Sequence, residues 1–120
     1  MITGVLSGPG HSSPLNCVAL SQKNACVASG DDNGTIIVHH MTKTGIVEFR
    51  ADNVFAVDVR GLCYLPNGSL LACGYGFVDN ANLKVLSPSL ELVQTLVGHN
   101  GAVYCVTVSP SGSHLASGGS

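Results

Sequence analysis

Short apolar runs separated by turn residues pattern this chain from end to end, and no stretch sustains a 3.6-residue apolar period. That pattern predicts strands throughout and essentially no helix. The clearest unit is CVASGDDNGTIIVHH, residues 26–40. Its first five residues are short and apolar. Asp31, Asp32, Asn33 and Gly34 supply a turn, and the β-branched run 35–38 fits a pleated, buried surface. The same reading places strands at 2–7, 15–20, 46–51, 57–65, 69–74, 83–86, 90–96, 102–108 and 114–117.

These elements repeat. Ala28-Ser29-Gly30 returns as Ala72-Cys73-Gly74 and again as Ala116-Ser117-Gly118, each time after 44 residues. Gly10-His11 returns two periods later as Gly98-His99, with Val54-Phe55 in the middle copy. Asn24, Gly68 and Gly112 share a turn position, and Val18, Leu62 and Val106 share a strand position expected to be buried. Four short strands per period of ~40–45 residues are the signature of propeller blades. The expected fold is all-β, an incomplete β-propeller of antiparallel four-stranded blades. Residues 1–8 form the outer strand of a preceding blade, 9–51 a first full blade, 52–97 a second, and 98–120 the first half of a third.

Composition narrows the function classes. Charged residues make up 10% of the chain and the net charge is −2, so a basic footprint for nucleic acid is not expected. Apolar residues make up 45%, enough for a core. The five cysteines, Cys17, Cys26, Cys63, Cys73 and Cys105, all fall in predicted strands. An odd count without a signal peptide argues for free, mostly buried thiols and a reducing, cytoplasmic compartment, with the nucleus left open. No run approaches the ~20 apolar residues of a membrane helix, so no membrane partner is expected.

The Gly-His pairs, SPSG at 109–112, LASG at 115–118 and ASGDDNGTIIVHH together resemble the WD-repeat β-propeller family, over about two and three-quarter repeats. In that family a His, a strand Ser or Thr, a turn Asp and a Trp are hydrogen-bonded within each blade. The resemblance puts His11, Ser29, Asn33 and His39 in those places in the first repeat, with His39-His40 where the family has Trp-Asp. Phe55 and Cys73 take the His and Ser places in the second, and His99 and Ser117 keep them in the third. It also implies a non-catalytic scaffold for a protein or peptide partner, held at the starts of the innermost strands. The family's contact positions fall on Pro14, Asn16, Asp32, Asp58, Arg60, Ala102 and Tyr104. The chain is expected to be a fragment of a larger propeller, completed by the remaining blades or by other copies of itself.

Other chemistries are weaker. His39 and His40 are adjacent on a strand and point to opposite faces, so they do not chelate a metal together. Ser109, Ser113 and His114 surround a repeat turn without a nucleophile elbow or an oriented acid. No metal and no cofactor are expected. The alternatives are a propeller enzyme or small-molecule binder with a site in the central channel, which calls for clustered carboxylates and His at the inner strand starts, and a non-functional gene fragment.

Overall fold

The computed structural model describes residues 11–75, 82–96, 103–109 and 114–119. Among them there are ten strands and no helix: β1 (Leu15–Ser21), β2 (Cys26–Asp31), β3 (Ile36–Thr42), β4 (Gly45–Ala51), β5 (Val59–Tyr64), β6 (Leu70–Gly74), β7 (Leu83–Leu86), β8 (Leu92–Leu96), β9 (Val103–Val108) and β10 (Leu115–Gly119). The segments predicted at 2–7 and around Gly98-His99 lie outside the described residues. Antiparallel sheets of order β1-β2-β3-β4 and β5-β6-β7-β8 are followed by the pair β9-β10. The chain is thus an incomplete propeller of four-stranded antiparallel blades.

Each sheet is apolar on both faces, because a blade is packed between neighbours. Ala28, Ile36 and Val38 of the first sheet meet Val59, Leu70, Ala72 and Leu86 of the second, with Phe55 among them. The opposite face of the second sheet places Leu71, Cys73, Leu83 and Val85 against Val103. Full burial of one such aliphatic or aromatic side chain contributes ~1.5–3 kcal/mol. Val18, expected inside, is 61% exposed. It pairs with Ser29 on the face of the first sheet turned away from the second blade, and Leu20 and Ile46 on that face are exposed as well. Leu62, at the equivalent place in the second blade, packs into the core.

Turns set the registers. Between β2 and β3, Gly34 takes φ +78°, and a Cβ there would collide with the Phe55 carbonyl oxygen, so only glycine fits. The β1–β2 turn is closed by Ala25 N–H donating to the Gln22 carbonyl (3.2 Å), with Ala25 at φ 51°. The β5–β6 turn is one residue tighter. Leu65 N–H donates to the Ser69 carbonyl (2.8 Å), and Gly68, at φ 90°, donates to the Leu65 carbonyl (2.9 Å).

Candidate functional site

The innermost strands β1, β5 and β9 pack side by side. They run the same way. Asn16 Nδ2, at the start of β1, donates to the Val59 carbonyl at the start of β5 (3.2 Å), whereas one cavity is lined by Leu20, Tyr64 and Val108 near the strands' ends. Near its start each strand carries a register break. Leu15 faces Asp31 but Cys17 faces Gly30; Val59 faces Gly74 but Gly61 faces Cys73; Val103 faces Gly119 but Cys105 faces Gly118. The extra residues are Asn16, Arg60 and Tyr104, spaced by 44. A bulge leaves its extra residue out of the ladder and re-aims it. Three bulges in register therefore set one residue per blade apart at the same end of the inner strands.

Around them, Arg60 Nε is 3.1 Å from Asp58 Oδ2, with the arginine side chain 38% exposed and the aspartate nearly covered. Asp58 Oδ1 is buried and meets no hydrogen-bond donor among the described residues. The exposed residues Pro14 and Asp32 are joined by Asp32 N–H donating to the Pro14 carbonyl (3.1 Å). Pro14, Asn16, Asp32, Asp58 and Arg60 thus belong to the strand-start end. The backbone puts Tyr104 there too, and Ala102 lies outside the described residues.

Behind this rim the first blade holds a polar group. His11 Nδ1 lies 2.7 Å from Asp31 Oδ2, and His11 Nε2 lies 2.7 Å from Ser29 Oγ. Asp31 Oδ1 accepts the N–H groups of Asn33 (2.8 Å) and Thr35 (3.0 Å). Burial pushes the Asp31 carboxyl up, but hydrogen bonds from Thr35, His11 and Asn33 outweigh it and hold the group below the usual carboxylate range. The acid of the group is therefore Asp31 and not Asn33, whose side chain is exposed and which gives only its backbone N–H. The family resemblance pointed to Asn33 because Asp31 ends β2 and turns its carboxylate back over the turn. An Asp able to cap amides two and four residues ahead was the available signal.

His39 is likewise not part of the group. It pairs across to β4, with Nε2 3.2 Å from Glu48 Oε1, while Ser29 Oγ reaches His11 and the Ile37 carbonyl (3.4 Å). The His11, Ser29 and Asp31 distances match those of a hydrolytic triad, but Ser29 is 0% exposed. A nucleophile must meet its substrate, so this serine supports the blade.

The second blade places the equivalent group one residue off the repeat. Because the β5–β6 turn is tighter, Leu62 faces Ala72, where Val18 faces Ser29. Ala72, not Cys73, thus takes the Ser29 place, and Gly74 takes that of Asp31. Phe55, fully buried, stands for His11; a Cβ on Gly74 would come within 2.7 Å of its ring. Lys84, opposite Ala72, sets Nζ 5.2 Å from that ring's centre and donates to the Val54 carbonyl (2.6 Å). Nothing in the sequence reading pointed to Lys84. In the third blade, Ser117 faces Val106 and is exposed; His99 lies outside the described residues.

His39 and His40 pair with Val27 and Cys26 and so face opposite sides. Among the described residues no three His, Cys, Asp or Glu side chains converge as a metal site. Ser109 and His114 bond to each other, with His114 N–H donating to Ser109 Oγ (3.2 Å). Cys17, Cys26, Cys63 and Cys73 are free thiols, and burial pushes Cys17 up to about 11. Among the described residues no helix is long and apolar enough to cross a membrane.

No curated protein matches the chain. The family described as WD domain, G-beta repeat matches residues 3–40 and 90–120, more than half of the sequence. The unmatched middle contains Phe55, Ala72 and Gly74, the residues that replace the polar group. With antiparallel four-stranded blades and a His-Ser-Asp group in the first of them, the chain belongs to the WD-repeat family.

Proposed function

We propose that this chain is a non-catalytic scaffold segment that holds a protein or peptide partner at the starts of its inner strands. WD repeats generally serve as protein-interaction scaffolds. The observation that carries the reading is the triple bulge, which gives each blade one residue released from the ladder: Asn16, Arg60 and Tyr104. Arg and Tyr are favoured where few residues carry most of the binding energy. Asp58 holds the Arg60 guanidinium, so less rotamer freedom is lost on binding.

The test is retention of a bound partner on immobilised chain. Arg60→Ala should weaken partner binding by about 1 kcal/mol or more, while the chain stays folded by circular dichroism. Equal retention of partner by variant and parent would defeat the reading.

The exposed apolar face bearing Val18, Leu20 and Ile46 supports a second part of the proposal. This face is covered by another blade, from a larger propeller or from further copies, because large apolar patches drive association. Sedimentation decides it. A single species of 12.2 kDa with a cooperative melt would show that the chain needs no such cover. The free thiols Cys17, Cys26, Cys63 and Cys73 favour a reducing compartment, cytoplasmic or nuclear.

A further inference from the structure

At the opposite end of the inner strands, the turn after β1 and the turn after β5 hold apart a cleft between the first and second blades. Its volume is about 720 Å³, within the range that takes a small organic ligand. Phe49 and Pro88 give it apolar walls, Cys26 and Tyr64 are set deeper, and Lys23 and His40 complete the lining.

Three observations bear on what would fill it. First, the Tyr64 hydroxyl is buried and has no oxygen or nitrogen acceptor among the described residues. It lies beside the Cys26 thiol, whose own proton goes to the Asn24 carbonyl (3.3 Å). A buried donor with only a thiol sulfur, a weak acceptor, beside it is poorly satisfied, and a stronger acceptor brought by a ligand improves on it. Second, no lining residue is acidic, and neither Lys23 nor His40 has an ion-pair partner among the described residues. Third, the rings of Phe49 and Tyr64 offer stacking surfaces on opposite blades.

The geometry points to a binding site for a small aromatic carboxylate. The ring lies against Phe49, Pro88 and Cys26. The carboxylate accepts the Tyr64 O–H, Lys23 supplies positive charge and His40 a ring nitrogen for a further hydrogen bond. Cys26 acts as wall and not as nucleophile, since burial raises its thiol and the thiolate is the reactive form. This site is independent of the partner-binding rim, which lies at the other ends of the same strands.

The probe is 2-naphthoate, followed by saturation-transfer NMR and calorimetry on the full chain in the assembly state in which it purifies. The neutral isostere 2-naphthylmethanol serves as comparison. Naphthoate should bind, the alcohol should bind about tenfold more weakly, and Tyr64→Phe should weaken naphthoate about tenfold, the worth of one charge-assisted hydrogen bond. Lys23→Ala, in an exposed turn, should weaken it about threefold, as loss of an exposed charge does. If Tyr64→Phe does not fold, Lys23→Ala and the alcohol decide the matter. Absence of naphthoate binding, equal binding of acid and alcohol, or binding indifferent to both substitutions would each overturn the proposal.

Discussion

Two neighbouring blades fill the same space in opposite ways. The first uses His11, Ser29 and Asp31, and the acid draws in two turn amides besides. The second uses Phe55, Ala72 and Gly74, and Lys84 lies over the aromatic ring. A polar group in a low-dielectric interior gives direction and register, but it is stable only when every member is satisfied. An apolar plug gives burial with no partner to lose, and it tolerates a register slip. The second blade has such a slip, of one residue between β5 and β6. The pair shows that a propeller blade needs its inner corner filled and its turn held, and that either chemistry does so.

The sharpest way to break the comparison is to remove the acid. Asp31→Ala leaves His11 and the N–H groups of Asn33 and Thr35 without their acceptor in a closed environment. Each buried donor left without its acceptor costs ~1–3 kcal/mol, and three donors lose theirs here. Urea unfolding of the assembled chain should show a loss of that order. A loss below ~1 kcal/mol would place this group among ordinary surface contacts.

A smaller effect is expected from writing the first blade's chemistry into the second. Phe55→His buries an imidazole between Ala72 and Gly74, neither of which brings a side-chain partner. The cost is about 2–3 kcal/mol, from lost apolar area and an unsatisfied ring nitrogen. Adding Ala72→Ser should return ~1 kcal/mol, the worth of one hydrogen bond. Full restoration is blocked, because any side chain at Gly74 meets the Asp58 carbonyl. Additivity of the two substitutions in a double-mutant cycle would show that position 72 does not face position 55.

Acid should separate the blades more gently. The folded Asp31 carboxyl lies below its ordinary range, so its contribution is complete above the unfolded value of ~3.9 and disappears as pH falls through the folded value. Phe55, Ala72 and Gly74 do not titrate. Protection of the Asn33 and Thr35 amides, corrected for intrinsic exchange, should therefore be lost ahead of that of amides in β6 as pH falls below the ordinary carboxylate range of ~3.9. Simultaneous loss of protection in both blades would count against a local cause.

Much of this was legible in the sequence, for identifiable reasons. Strand alternation and the 44-residue step reflect packing on both faces of each sheet, so β1 to β8 fall close to their expected places. Asn16, Arg60 and Tyr104 were named only as contact positions that the family resemblance implies, and the bulges that carry them left no mark in composition. What escaped was set by turn geometry. One residue fewer in the β5–β6 turn moved Ala72 into the place expected for Cys73, and the carboxylate of Asp31 folded back where the family resemblance pointed to Asn33. Lys84 was missed because its role depends on an aromatic ring 29 residues earlier.

The smallest expected effect is the one that separates those last two readings. Asn33 has an exposed side chain that makes no hydrogen bond among the described residues, and only its backbone N–H reaches Asp31. Alanine keeps that N–H. It also suits the backbone, since Asn33 is not at positive φ, unlike Gly34 beside it. Asn33→Ala should therefore stay within ~0.5 kcal/mol of the parent, as surface substitutions do. If the family register were right and the Asn33 side chain held His11, the same change would leave a buried imidazole without its partner and cost at least ~1–3 kcal/mol. Two urea curves, Asn33→Ala beside Asp31→Ala, are enough. A near-silent first variant and a severe second assign the corner of the first blade to Asp31, and the reverse order would return it to Asn33.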